Sequence, residues 1–134
     1  MPGYTLSTTL QTPYDATVTR VREGLADQGF GVLTEIDLQA TLKAKLDVDV
    51  PPQVILGACQ PQLAYRALQL DPSIAAVLPC NVVVRSLDEH TTIVEAFDPD
   101  AMMGLAGDAF HDLATDARQR LGAAPDALPT APPK

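Results

Sequence analysis

The sequence predicts an α+β domain: a two-layer sandwich in the order β-α-β-α-β-α-β-β-α, with a mixed sheet and helices mainly on one face. Three observations support this. Apolar residues alternate over short stretches such as 30–36 and 92–97, the period of a strand. Between them apolar residues recur at helical spacing, as at Val18, Val21 and Leu25. Gly and Pro fall between these runs, at Gly29, Pro51-Pro52, Pro61, Pro79 and Pro99.

The first strand is expected over residues 4–10, with Tyr4, Leu6, Thr8 and Leu10 on one parity. A helix follows Thr12-Pro13 and stops at Gly29, a suitable C-cap residue. The second strand places Phe30, Val32, Thr34 and Ile36 on one face, and Gly31, Leu33, Glu35 and Asp37 on the other. Asp37 or Glu35 then caps a short helix carrying Leu38, Leu42 and Leu46. Val54 to Cys59 is apolar on both faces and reads as a buried strand. Pro61 suits the first position of the next helix. Residues 81–86 and 92–97 form a hairpin. The register that keeps Glu95 off the valine face sets Val82 against Ala96 and Val84 against Val94. It groups Arg85 with Glu95 and sets Cys80 opposite Asp98. The last helix carries Phe110, Leu113, Ala114, Ala117 and Leu121 and ends at Gly122. Residues 1–122 are thus one domain, and 123–134, rich in Pro and Ala, a disordered tail.

The chain has 134 residues and is 46% apolar, enough for one core without disulfide staples. A net charge of −8 with no basic cluster argues against nucleic acid and anionic membrane surfaces as partners. No stretch is apolar for long enough to span a bilayer, and no signal-peptide pattern opens the sequence. The two cysteines do not make a disulfide scaffold. The expectation is a cytoplasmic protein with reduced thiols. One sheet face stays uncovered in so short a chain, and a homodimer interface would cover it.

Cys59 and Cys80 each sit at a strand end beside a proline. Cys59 precedes a helix N-terminus, where the dipole favours a thiolate. As a bland alternative, both are small buried hydrophobes. Their spacing fits no standard zinc pattern. Glu35 and Asp37 share a parity and suit acid/base work or a hard cation, against a plain role in helix capping. Asp108 and His111 are spaced to share a metal, but on a helix ridge with Asp112 and Asp116 they read as a solvated face. Met102-Met103 reads as packing. Gly29-Phe30-Gly31 precedes a strand, the wrong context for a dinucleotide fingerprint.

Four ordered segments carry a family resemblance. They are Gly29-Phe30-Gly31-Val32-Leu33-Thr34-Glu35-Ile36-Asp37 with Thr41-Leu42-Lys43; Ile55-Leu56-Gly57-Ala58-Cys59-Gln60-Pro61 with Ala64 and Ala67-Leu68; Leu78-Pro79-Cys80-Asn81-Val82-Val83-Val84; and Asp98-Pro99 with Met102. Together they resemble the signatures of the domain-of-unknown-function 302 (DUF302) family over roughly residues 4–121. Gln60 stands where many members carry Asn. The resemblance implies a two-layer α+β sandwich and a dimer, with no established catalytic residues.

Its motifs centre on Glu35, Cys59, Cys80, Asn81 and Asp98, all at strand ends or loop starts. The leading expectation is therefore a small-ligand- or metal-binding homodimer. Those five residues would line the pocket, and Cys59 and Cys80 would ligate a metal such as zinc. Two alternatives stand beside it. One is a thiol-dependent enzyme of sulfur transfer or redox chemistry using Cys59 or Cys80, and the other a structural or regulatory dimer without pocket chemistry.

Overall fold

The structure, a computed structural model, describes residues 3–102 and 111–126. Five strands form one sheet: β1 (Thr5–Leu10), β2 (Gly31–Asp37), β3 (Gln53–Cys59), β4 (Cys80–Asp88) and β5 (Thr91–Phe97). The described helices are α1 (Tyr14–Asp27), α2 (Leu38–Leu46), α3 (Pro61–Leu70) and α4 (His111–Asp126), with 3-10 turns at Pro72–Val77 and Pro99–Met102. Both the α+β class and the element order agree with the sequence reading.

The sheet order is β1-β5-β4-β3-β2, and every neighbouring pair is antiparallel. The expected mixed sheet is therefore corrected. A helix between two strands does not by itself make them parallel. α2 and α3 return the chain at the end of the sheet where it left, so β2, β3 and β4 run alternately. Among the described connections between strands, only α1 crosses the sheet, carrying the chain from one edge strand to the other.

Alternate residues of the strands face α1 and α4. Leu10, Val54, Leu56, Ala58, Cys80, Val82, Val84, Val94 and Ala96 pack there with Val21, Leu25 and Leu121. A second cluster joins Leu63 and Ala67 of α3 to Leu113 and Ala117 of α4, with Ile74 between them. The sheet face away from α1 and α4 is partly apolar. Ile36, Ile55 and Val83 stand side by side across three strands. Ile36 is exposed and the other two are half-buried.

The end of α1 shows how local sequence positions the core. Gly29 adopts φ +84°, a left-handed conformation that glycine takes without strain. The Gly29 N–H bonds the Ala26 carbonyl and the Phe30 N–H bonds that of Leu25. This is a Schellman cap, and its usual apolar contact is present, because Leu25 and Phe30 are both buried in the main core.

Three local expectations change. β2 carries a bulge between Val32 and Thr34, so Leu33 is an extra residue and the alternation reverses after it. Thr34 and Ile36 thus leave the face of Val32, and Glu35 joins it. In α2, Asp37 accepts the Ala40 N–H as expected, but no residue is fully buried and Leu46 is exposed. α4 runs past Gly122 to Asp126. Phe110, Asp108 and Met103 and the expected tail from 127 onward lie outside the described residues. The hairpin register holds: Val82 pairs with Ala96 and Val84 with Val94. Arg85 bonds Glu95 at 3.3 Å on the opposite face. Asp88 pairs with Thr91 and a bulge at Leu87 takes up the extra residue, so Glu89 and His90 make the turn.

Candidate functional site

β3 ends at Cys59 and β4 begins at Cys80, and Ala58 pairs with Cys80 across the strands. Strand geometry therefore brings the two cysteines to the same corner of the sheet. α3 starts immediately after this corner. Pro61 occupies its first turn, and the Gln60 side chain accepts the Leu63 N–H at 2.8 Å. Gln60 is thus the N-cap, with a longer side chain doing what Asn commonly does. α4 closes the corner from the other side through Leu113, Ala114 and Ala117.

These elements leave a cavity of about 50 Å³, lined by both cysteines. Phe30, Ala58, Leu63, Ala67 and Ala114 make most of its apolar wall, and Gln60 contributes an amide. Small residues on α3 and α4 make the space. Cys80 is 8% exposed, whereas Cys59 is half-buried.

Burial governs the thiols. It pushes the Cys80 thiol up to about 11, with the charge on a Cys59 thiolate adding to the effect. Burial raises the Cys59 thiol as well. Both are neutral at ordinary pH. The expected thiolate at Cys59 is not what this corner favours. Burial opposes the helix terminus here, and the first-turn Leu63 N–H is already occupied by Gln60.

The other three expected site residues point elsewhere. Glu35 lies opposite Leu56, on the face covered by α1, and is ion-paired with Arg22. Asn81 is exposed on the other face, beside Tyr4, Thr5 and Phe97 in a shallow depression. Asp98 is nearly buried but committed. It accepts the Asp100 N–H at 3.0 Å and pairs with Arg118 of α4 at 3.4 Å. Among the described residues, no three His, Cys, Asp or Glu side chains converge as metal ligands would. His90 is exposed in the hairpin turn, and Asp116 is paired with Arg120.

Residues 6–128 match the family described as Domain of unknown function DUF302. The chain belongs to the DUF302 family. A solved relative has the same architecture: the crystal structure of an uncharacterized conserved DUF302 protein from Bacillus stearothermophilus. It is 31% identical, covers 96% of this chain and 100% of its own, and superposes with a TM-score of 0.86. No curated protein matches the chain. Among the described residues, no helix of this DUF302 domain is long and apolar enough to cross a membrane.

Two features were not read from the sequence. Gln60 and Phe30 belong to the cavity. Their signals were present, as the residue before a helix-opening proline and the apolar residue after a C-cap glycine. A larger cavity of about 180 Å³ lies between β1, α1 and α4, lined by Leu6, Val21, Val94 and Leu121 among others. None of its lining residues ionises, and no sequence motif marked it.

Proposed function

We propose that this DUF302 domain is a binding protein whose site is the cavity between Cys59 and Cys80, assembled as a homodimer through the open sheet face. The observation that carries this reading is the shared cavity: cysteines from two separate motifs line one small apolar space. The β3–β4 pairing brings the two motifs to one corner, and this is the cavity whose wall carries thiols. Ile36, Ile55 and Val83, side by side and incompletely covered, supply an apolar strip for a second copy. Glu35, Asn81 and Asp98 stay outside the proposed site, since each is engaged or directed elsewhere.

Native mass spectrometry and elemental analysis of the freshly isolated protein test the reading. The expected result is a dimer carrying a bound metal or small molecule that a Cys59→Ser/Cys80→Ser double variant lacks. An identical complement in the variant would count against it.

A structural dimer without pocket chemistry is the second reading, favoured by the two neutral thiols. It expects Cys→Ala substitutions to change stability alone. The thiol-enzyme reading has less support. It needs a lowered thiol and a nearby base, whereas burial raises both thiols and, among the described residues, no His, Asp or Glu lines the cavity.

A further inference from the structure

We infer that the Cys59–Cys80 pair is a two-coordinate site for a soft d10 cation of the copper(I) and silver(I) class. This rests on the cavity reading above and gives it a ligand class. Size comes first. Pockets for organic ligands span roughly 300–1,000 Å³, and this cavity holds about 50 Å³. It suits an ion or one or two water molecules, not a metabolite.

Donor chemistry comes second. Among the described residues, the ionisable side chains lining the cavity are the two thiols. Hard cations need several oxygens, and structural zinc takes four ligands. Neither requirement is met, and no third His, Cys, Asp or Glu joins the thiols among the described residues. Soft thiolate sulfur selects copper(I), and such monovalent d10 ions are stable between two collinear sulfurs. Thus the zinc expected from the sequence gives way to an ion that needs only the two ligands present.

Charge comes third. Binding displaces one proton from each thiol, so the ion and two thiolates leave one net negative charge. The positive end of α3 begins beside Cys59 and offsets part of that charge.

The test is an anaerobic titration of the reduced full-length protein with copper(I), supplied from a competing chromogenic chelator. The expected result is one ion per chain and two protons released per ion. Retention should fall by more than about 100-fold in Cys59→Ser and in Cys80→Ala, beyond the cost of losing an outer-shell partner. Release of a single proton, or undiminished retention in either variant, overturns the paired site. The wild-type proton count decides the matter if a variant does not fold. Xenon, a neutral probe, separates this inference from the reading beneath it. Xenon-induced shifts at the Ala58 and Ala114 methyls without copper retention remove the ion and keep the cavity. No response to either probe removes both.

Discussion

Cys80 lies opposite Ala58, whose chain neighbour is Cys59, and both cysteines line the cavity at this corner of the sheet. The pairing makes the two thiols electrostatic neighbours: ionising one makes the other harder to ionise. The corner is thus one chemical unit.

The buried thiol gives stability a pH dependence. Folding raises Cys80 from 9.0 to about 11. Between those values the unfolded chain releases a proton that the folded chain retains, so stability falls as pH rises. Below pH 9 the contribution is fully present; above about 11 it is lost. The slope is about 1.4 kcal/mol per pH unit, roughly 3 kcal/mol across the window. Tyr14 is also raised by burial and contributes with the same sign at higher pH. The comparison is therefore between wild type and Cys80→Ala, by urea unfolding from pH 8 to 11. The variant is expected to lose the steeper part of the slope, and parallel curves would refute the linkage.

The same burial sets an order of reactivity. Cys59 is half-buried and Cys80 is 8% exposed. Iodoacetamide is expected to modify Cys59 first, with its rate rising past the usual thiol range because the thiol is held protonated. Peptide mapping after short exposure at several pH values checks this. Equal labelling of both cysteines at neutral pH would contradict the burial described.

Much of the corner was legible in the sequence, for physical reasons. An apolar run ending in Cys-Gln-Pro marks a buried strand meeting a helix start, and Pro79-Cys80 marks the next strand's first residue. Glu95 could face only one way among its valines, which fixed the hairpin. Glu35 was misplaced because a bulge has no composition of its own: one extra residue, Leu33, reverses every side chain after it. Asp98 looked available because sequence does not show that Arg118, twenty positions on, returns to pair with it. Sheet direction was misread because helices at a sheet's end and helices crossing over it have the same sequence pattern.

Gly57 holds β3 against two neighbours. A Cβ there would stand 2.0 Å from the Thr34 Oγ1 and 2.8 Å from the Pro79 Cγ. Gly57→Ala is expected to cost about 1–3 kcal/mol, the usual range for overpacking. Thr34→Ala removes the closer atom and is expected to recover part of that loss, while the rigid proline keeps the rest. Denaturant unfolding of both single variants and the double variant measures the coupling. Additive effects would mean that Thr34 is not the obstacle.

The Arg22–Glu35 pair is a surface contact, with side chains 38% and 53% exposed. A double-mutant cycle is expected to give a coupling below about 1 kcal/mol. Glu35→Gln is also expected to leave copper(I) retention and Cys59 alkylation unchanged. A large effect on either would return Glu35 to the site.

Filling the cavity separates the space from the thiols that line it. Ala67 is nearly buried on α3 and forms part of the wall. Ala67→Leu keeps a strong helix former and adds three carbons where the cavity is about 50 Å³. Removing that void is worth up to about 1 kcal/mol, at roughly 24 cal/mol per Å³, less any strain. Stability is therefore expected to change little or rise slightly, as read by thermal unfolding. Copper(I) retention is expected to fall toward that of the single-cysteine variants, although both sulfurs remain. A stable Ala67→Leu protein that binds the ion as wild type does would place the thiol chemistry outside the cavity. Lost binding with an intact fold would show that the space between the strand ends, and not either cysteine alone, is what this corner of the DUF302 domain provides.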